Sequence, residues 1–148
     1  MSSTSRVPHI LVIDDTLEIL DLLQELLAEE GYRVTTARAP LDLTQVHALA
    51  PDAIVQDLVF AGTPEPGWAF LTTVRRDPDL VRVPVVLCTG ATPVLRTPVI
   101  VDQLGTLGVP VLAKPFDIDD FLAVLTAALE TRPKSAPALA PELEHIAP

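Results

Sequence analysis

The sequence is poor in cysteine, glycine and aromatic residues. Its 148 residues include one cysteine, six glycines and an aromatic fraction of 4%. A single cysteine excludes an internal disulfide, and Cys88 lies in the apolar run VPVVLC, where a buried thiol is expected. The fold must therefore depend on an apolar core, for which a chain of this length is sufficient. The same cysteine content fits a reducing, cytoplasmic setting.

Long apolar runs and basic residues are also scarce. The N-terminal stretch MSSTSRVPH is polar, and no apolar run approaches the roughly 18 residues that span a bilayer, so we expect no membrane insertion. Ten basic residues face twenty acidic ones, which gives a formal net charge of −10. Such a charge disfavours direct binding to nucleic acid or to anionic membranes.

Apolar strand-like runs alternate with helix-like periodicity through most of the chain. HILVID (9–14) is the first predicted strand, and TLEILDLLQELLAEEG (16–31) is the first predicted helix, with Thr16 as N-cap and Gly31 as its stop. Four more pairs follow, with strands at YRVTTA, DAIVQDL, VPVVLCTG and VPVLA, and helices at LDLTQVHALA, GWAFLTTVRR, PVIVDQLGTLG and DIDDFLAVLTAALE. We expect Asp117 to cap the last helix. This alternation predicts a doubly wound α/β domain with a five-stranded parallel sheet.

The two ends of the chain differ from this pattern. Residues 1–7 are predicted to be a disordered N-terminus, and residues 8–131 form the domain. Residues 132–148 are rich in proline and alanine, which predicts a disordered tail.

Polar residues occur where the predicted strands end. Asp14 and Asp15 follow the first strand, Asp57 the third, Thr89 the fourth and Lys114 the fifth. Ligands of doubly wound sheets bind outside the carboxyl ends of the strands, so these side chains are expected to project from one edge.

Three carboxylates at one edge repel one another unless a cation shares them. Oxygen ligands without a nearby histidine or cysteine favour Mg²⁺, or Mn²⁺, over zinc. Lys114 adds a positive charge and Thr89 a hydroxyl, which together suit a phosphoryl group. Asp57, inside the run IVQDLVF (54–60) that reads as a buried strand, would then be a nucleophile that forms an acyl phosphate.

Four motifs occur in this order, with strand–helix units between them: DD, PDAIVQDL, TG and KPF. Over residues 8 to about 131 they resemble the receiver domain of bacterial two-component response regulators. The resemblance implies a flavodoxin-like sheet in the order 2-1-3-4-5 flanked by five helices. It also implies phosphoryl transfer from a phosphohistidine on a sensor histidine kinase or a phosphotransfer protein.

The same resemblance assigns the metal site. Asp14, Asp15 and Asp57 would hold Mg²⁺ together with the main-chain carbonyl of Val59.

It also assigns the phosphoryl site. Asp57 would be the acceptor, and Thr89 and Lys114 would contact the phosphoryl oxygens. The bond between Lys114 and Pro115 would be cis.

The sequence departs from the family pattern at several positions. Val111 occupies the switch position, where an aromatic residue is usual, which puts the usual coupling of phosphorylation to the face of helix 4, strand 5 and helix 5 in doubt. Ala61 replaces a usual proline in the loop LVFAGTPEPGW, which is about two residues longer than in the family. Pro93 and Pro98 are expected to delay helix 4.

The sequence leaves three functions open. The leading one is a single-domain response regulator, capable of self-phosphorylation and self-dephosphorylation, that signals by binding an unknown downstream protein. The alternative is a receiver-like interaction module that works without phosphorylation. A metal-dependent phosphatase is disfavoured because no second acid follows Asp57 at a spacing suited to catalysis.

None of the three histidines, His9, His47 and His145, is expected to be a ligand or a catalyst.

Overall fold

The computed structural model describes residues 7–90 and 98–131. The expectations for the N-terminus, for Pro93 and for the tail at 132–148 fall on residues outside these ranges, Val7 excepted. The described strands are β1 His9–Ile13, β2 Arg33–Ala37, β3 Ala53–Gln56, β4 Val85–Thr89 and β5 Val111–Ala113. The described helices are α1 Leu17–Glu29, α2 Leu43–Leu49, α3 Glu65–Arg76, α4 Pro98–Leu107 and α5 Ile118–Thr131. None of these helices is both long and apolar enough to cross a membrane.

The five strands form one parallel sheet in the order β2-β1-β3-β4-β5. The predicted fold class and strand order are therefore confirmed. Strands β1, β3 and β4 are buried along their whole length, as expected for parallel strands covered on both faces.

A hydrophobic core lies on each face of the sheet. One core includes Leu11, Ile54 and Leu87 from the strands and Phe70 and Leu71 from α3. The opposite core contains buried residues of β1, β3 and β4 together with α1 and α5: Ile10, Val12, Val55, Val86, Leu20, Leu23, Phe121 and Leu125. The alternation of side chains along β1, β3 and β4 supplies both cores from the same three strands.

The predicted helix ends are mostly confirmed. Gly31 has φ of 93°, its N–H donates to the carbonyl of Ala28, and the next N–H, of Tyr32, donates to the carbonyl of Leu27. These two bonds close α1 with a Schellman motif, for which glycine is the favoured residue. The Asp117 carboxylate accepts the N–H of Asp119 at 2.7 Å and thus caps α5.

The start of α1 differs from the prediction in one respect. Thr16 occupies the N-cap position, but its side chain makes no capping hydrogen bond. Its main-chain N–H instead donates to Oδ1 of Asp14 at 2.9 Å.

The expectation of a strand over residues 54–60 is wrong beyond Gln56, where β3 ends. Oδ1 of Asp57 accepts the N–H groups of Leu58 and Val59, at 2.6 and 3.2 Å, and so removes both amides from the sheet ladder. The apolar character of the segment is explained by burial, because Leu58 and Phe60 are only 1% and 5% exposed.

The loop after β3 contains a tight turn. Phe60 and Thr63 exchange two main-chain hydrogen bonds, at 2.9 and 3.1 Å. Between them Ala61 and Gly62 have φ of 54° and 83°, which are the signs required by a type I′ turn.

Helix α3 begins at Glu65, two residues before the predicted start at Gly67. Its first turn lies directly on the loop, because a Cβ atom at Gly67 would be 2.1 Å from the carbonyl oxygen of Leu58. Only glycine permits this approach, which fixes α3 against the residue that follows Asp57.

Candidate functional site

The predicted site residues meet at the carboxyl edge of the sheet. The N–H of Asp57 donates to the carbonyl of Ile13 at 3.0 Å, and the N–H of Lys114 donates to the carbonyl of Thr89 at 2.9 Å. These bonds extend the pairing of neighbouring strands by one residue. The side chains at the strand ends are therefore placed by the sheet itself.

Three carboxylates form a compact cluster at this edge. Asp14, Asp15 and Asp57 each offer an oxygen, and these oxygens lie within 4.8 Å of one another. Asp14 and Asp57 are 3% and 7% exposed, and Asp15 is partly exposed. Burial of like charges at this spacing is unfavourable without a cation.

Lys114 supplies one cation. Its Nζ lies 2.6 Å from Oδ2 of Asp14 and 3.0 Å from Oδ2 of Asp57. Burial alone lowers the pKa of the Lys114 ammonium, but the hydrogen bonds and charges of Asp14 and Asp57 outweigh it, so the net pKa lies above its ordinary value. The ammonium is charged throughout the physiological range.

Main-chain amides hold one oxygen of each carboxylate, including Oδ1 of Asp14, which accepts the N–H of Thr16. Oδ1 of Asp57 accepts the two N–H groups that follow it in the chain. Oδ2 of Asp15 accepts the N–H of Ala61 at 3.2 Å, across the gap between the β1 and β3 ends. Each carboxylate is thus oriented by the loop or strand end beside it.

An open cleft of about 330 Å³ lies over this cluster. Its lining contains all but one of the predicted site residues, namely Asp15, Asp57, Val59, Thr89 and Lys114, together with Gly90. Asp14 is the exception, and it lies in contact with the Lys114 ammonium. Thr89 is fully buried at the end of β4, and the peptide bond between Lys114 and Pro115 is cis, as the resemblance implies.

The donor set fits a magnesium ion. Within the described residues the cluster consists of three carboxylates, and Val59 lines the cleft beside them. Oxygen ligands of this kind are the set that Mg²⁺ prefers. The cleft leaves room for the waters and the phosphate oxygen that usually complete its shell.

Within the described ranges, one other trio could in principle hold a metal: His47, Asp77 and Asp79. Nε2 of His47 lies 2.9 Å from Oδ2 of Asp77, whose Oδ1 accepts the N–H of Asp79. These contacts join α2 to the end of α3, and the trio lies at that helix end, not in the cleft.

Gln56 belongs to the site but was not singled out from the sequence, and Ala61 was noted there only as a departure from the family pattern. Gln56 donates hydrogen bonds from Nε2 to the carbonyls of Asp57 and Gly67, both at 3.1 Å. A polar residue in the otherwise apolar run AIVQ was a usable signal for Gln56. The contact between Ala61 and Asp15 depends on a turn conformation that the sequence did not indicate.

Val111 begins β5 and is 37% exposed. It is a small aliphatic side chain at the switch position. No ring is present there to exchange an exposed for a buried orientation.

The model of the response regulator receiver domain family matches residues 10–126 of the chain. This match includes every residue of the acidic cluster and Lys114.

Curated relatives are similar over the same region. The nitrogen assimilation regulatory protein NtrX of Azorhizobium caulinodans is 32% identical over 123 residues, which are 82% of this chain and 26% of NtrX. The regulatory protein VirG of Agrobacterium fabrum is 30% identical over 129 residues, which are 86% of this chain and 48% of VirG. The chain thus spans between about a quarter and a half of the length of these relatives.

Solved structures share the fold. The chemotaxis response regulator CheY4 of Vibrio cholerae matches with a TM-score of 0.69 at 23% identity, over 83% of this chain and 99% of that one. A signal receiver domain of an HD domain-containing protein from Pseudomonas fluorescens Pf-5 matches with a TM-score of 0.70 at 25% identity, over 88% and 92% of the two chains.

Proposed function

Because the chain belongs to the response regulator receiver domain family, we propose that Asp57 accepts a phosphoryl group from a phosphohistidine of a sensor histidine kinase or a phosphotransfer protein. An oxygen of the Asp57 carboxylate forms a bond to phosphorus as the phosphorus–nitrogen bond of the donor breaks. The electron pair of that bond returns to the imidazole, which takes up a proton. The product is an acyl phosphate on Asp57.

One observation supports this proposal above the others. The Lys114 ammonium bridges Asp14 and Asp57, at 2.6 and 3.0 Å, over an open cleft. A fixed positive charge beside the acceptor oxygen stabilises charge on the phosphoryl oxygens as the group arrives. A lysine with a purely structural role would not need a cleft above it.

We assign Asp14, Asp15, Asp57 and the Val59 carbonyl to Mg²⁺. When bound, the ion would neutralise the carboxylates and the incoming phosphoryl oxygens. Thr89, which lines the cleft, is assigned to a phosphoryl oxygen.

The protein is proposed to act as a single-domain regulator that signals by binding another protein, in the cytoplasm and without direct contact to nucleic acid. The net charge of −10 supports the last point, because phosphate backbones repel such a surface. NtrX and VirG are longer than the region they share with this chain, so the single-domain architecture is part of the proposal.

Acetyl phosphate with Mg²⁺, followed by intact-mass measurement, tests the phosphoryl acceptor. We expect one added phosphoryl group in the wild type and none in Asp57→Asn. The variant should be no less stable than the wild type without metal, because it loses one of several crowded carboxylates while Lys114 keeps Asp14 as its partner. Asp21→Asn, an exposed carboxylate on α1, is the matched control and should be labelled normally. A phosphorylated Asp57→Asn protein would show that the acceptor lies elsewhere.

Val111 favours a second function, a receiver-like interaction module that works without phosphorylation. Its aliphatic side chain leaves the usual switch without a ring. The acetyl phosphate experiment distinguishes the two functions. The second predicts that the wild-type protein stays unphosphorylated at saturating donor.

A further inference from the structure

Gln56 is a polar side chain in a position that the sheet otherwise fills with apolar groups. It is the last residue of β3, is 1% exposed and immediately precedes Asp57. Its Nε2 donates to two main-chain carbonyls, of Asp57 and of Gly67, each at 3.1 Å. A buried amide is unfavourable unless its hydrogen bonds are satisfied, so its presence here requires a reason.

The partners of Gln56 determine how its amide is oriented. Carbonyl oxygens only accept hydrogen bonds, so the amide nitrogen must face both of them. Oε1 is consequently buried and has no hydrogen-bond partner in the described part of the chain. An apolar side chain of the same size would avoid this unsatisfied acceptor. Gln56 is therefore a poor choice for packing alone.

The first of these hydrogen bonds connects Gln56 to the carboxylate of Asp57. The peptide group between Asp57 and Leu58 is planar, so holding its carbonyl also fixes the direction of the Leu58 N–H. That N–H donates to Oδ1 of Asp57 at 2.6 Å, while Oδ2 lies 3.0 Å from the Lys114 ammonium. The orientation of one peptide plane thus decides which carboxylate oxygen meets the cation.

The second hydrogen bond anchors this arrangement to a helix. Gly67 lies in the first turn of α3, and its backbone approaches the Leu58 carbonyl so closely that a Cβ atom would be 2.1 Å from it. Gln56 therefore links the peptide after Asp57 to the first turn of α3, which packs closely on Leu58.

We propose that Gln56 is a positioning residue for phosphoryl transfer to Asp57. Its amide holds the peptide between Asp57 and Leu58, this peptide holds Oδ1, and Oδ2 is left facing Lys114 as the oxygen that takes the phosphoryl group. The inference rests on the proposed function and adds to it a residue that touches neither the metal nor the phosphoryl group.

Gln56→Met and Gln56→Leu test this role, because both keep the approximate volume and remove the amide. Leu87→Met is the matched control. Leu87 pairs with Gln56 across β3 and β4 and is fully buried in the core on that face. The control introduces the same methionine beside the same position without removing a polar contact.

We expect little effect on stability and a large effect on reactivity. The melting temperature of Gln56→Met should stay within about 2 °C of that of the wild type, because the removal of an unsatisfied buried acceptor offsets the loss of two hydrogen bonds to main-chain carbonyls. The maximal rate of Asp57 phosphorylation by acetyl phosphate, at saturating Mg²⁺, should fall at least about fivefold. The donor concentration that gives half of this rate should not change. Leu87→Met should keep the wild-type rate.

Two results would overturn the inference while leaving the proposed function intact. One is phosphorylation of both Gln56 variants at the wild-type rate. The other is a rate loss accompanied by a lowered melting temperature in both variants, which is the behaviour of an ordinary packing residue. A wild-type protein that takes up no phosphoryl group would instead refute the proposed function and this inference with it.

Discussion

The main-chain N–H of Ala61 lies 3.2 Å from Oδ2 of Asp15, so the loop that follows Asp57 reaches back to the acid at the end of β1. Ala61 can make this contact because its φ is 54° and the next residue, Gly62, continues the turn. Proline has no N–H and cannot adopt a positive φ. The alanine that replaces the usual proline is therefore a part of the geometry of the site.

Ala61→Pro should weaken Mg²⁺ binding at least about fivefold and lower the melting temperature by several degrees, because it removes the contact to Asp15 and cannot fit the turn. Ala61→Gly is the control, since it keeps the N–H and favours the same φ. Calorimetric Mg²⁺ titration of the three proteins measures the effect. Equal affinities for Ala61→Pro and the wild type would show that the loop contributes nothing to the metal site.

Lys114→Met should lower the free energy of unfolding by about 1–3 kcal/mol without Mg²⁺, because Asp14 and Asp57 lose their cationic partner. The estimate lies below the range for fully buried pairs because the Lys114 side chain is 18% exposed. Mg²⁺ should bind more tightly to this variant and restore much of the loss. Urea unfolding with and without Mg²⁺ measures both effects. Arg76→Met, at an exposed cation, should change neither.

The raised pKa of Lys114 makes the difference in free energy of unfolding between the wild type and Lys114→Met depend on pH. The folded state binds the proton of the ammonium more tightly than the unfolded state does. The stabilisation is therefore complete below the ordinary pKa of 10.5 and is lost as the pH rises through the higher folded value. The free energies of unfolding of the wild type and Lys114→Met should differ by a constant amount from pH 7 to about pH 9.5 and should converge above that pH. Convergence at neutral pH would contradict the assignment.

Val59→Asn should shorten the lifetime of the phosphorylated protein about tenfold, equivalent to about 1.4 kcal/mol of barrier. Val59 lines the cleft beside Asp57, and its side chain cannot hydrogen-bond a water in line with the phosphorus. Ala91, two positions after Thr89 and outside the described residues, also cannot hydrogen-bond a water, so we expect slow self-dephosphorylation of the wild type. A decay rate that is unchanged in Val59→Asn, or a wild type that loses its phosphate within seconds, would contradict slow self-dephosphorylation.

Cys88 should be nearly inert in the folded protein. Burial raises the pKa of its thiol to about 12, so iodoacetamide at pH 8 should react with it about a thousandfold more slowly than with the unfolded chain. The thiol ionises earlier in the unfolded state, so it should also reduce stability as the pH rises from about 9 towards 12. Labelling in the presence and absence of urea, read by mass, measures the first effect. Equal labelling rates with and without urea would mean that the core around β4 opens readily in the folded protein.

The sequence predicted the elements whose signals are periodic. The alternation of apolar strands with amphipathic helices was sufficient for the sheet, and the residues at the strand ends were sufficient for the acidic cluster and Lys114. Both predictions depend on short-range sequence patterns. A parallel sheet brings the residues at the carboxyl ends of its strands close together.

What the sequence did not predict depends on single hydrogen bonds. The run around Asp57 is apolar on both sides, and only the acceptance of two N–H groups by its carboxylate ends β3 at Gln56. The turn at Ala61 requires an unusual φ in a residue that rarely adopts it. Neither feature has a hydrophobic period from which it could be inferred.

The pairing of Lys114 with Asp14 joins residues that are 100 positions apart in the chain. At roughly 5 to 20 residues per second, a ribosome adds Lys114 about 5 to 20 s after Asp14. Until then a nascent chain carries the carboxylates without their cation, and the final edge of the sheet, β5, is not yet present. The acidic cluster reaches its working form only when β5 pairs with β4. Under the proposed function, a chain cut short before Lys114 has the acceptor Asp57 but lacks the cation that lies beside it.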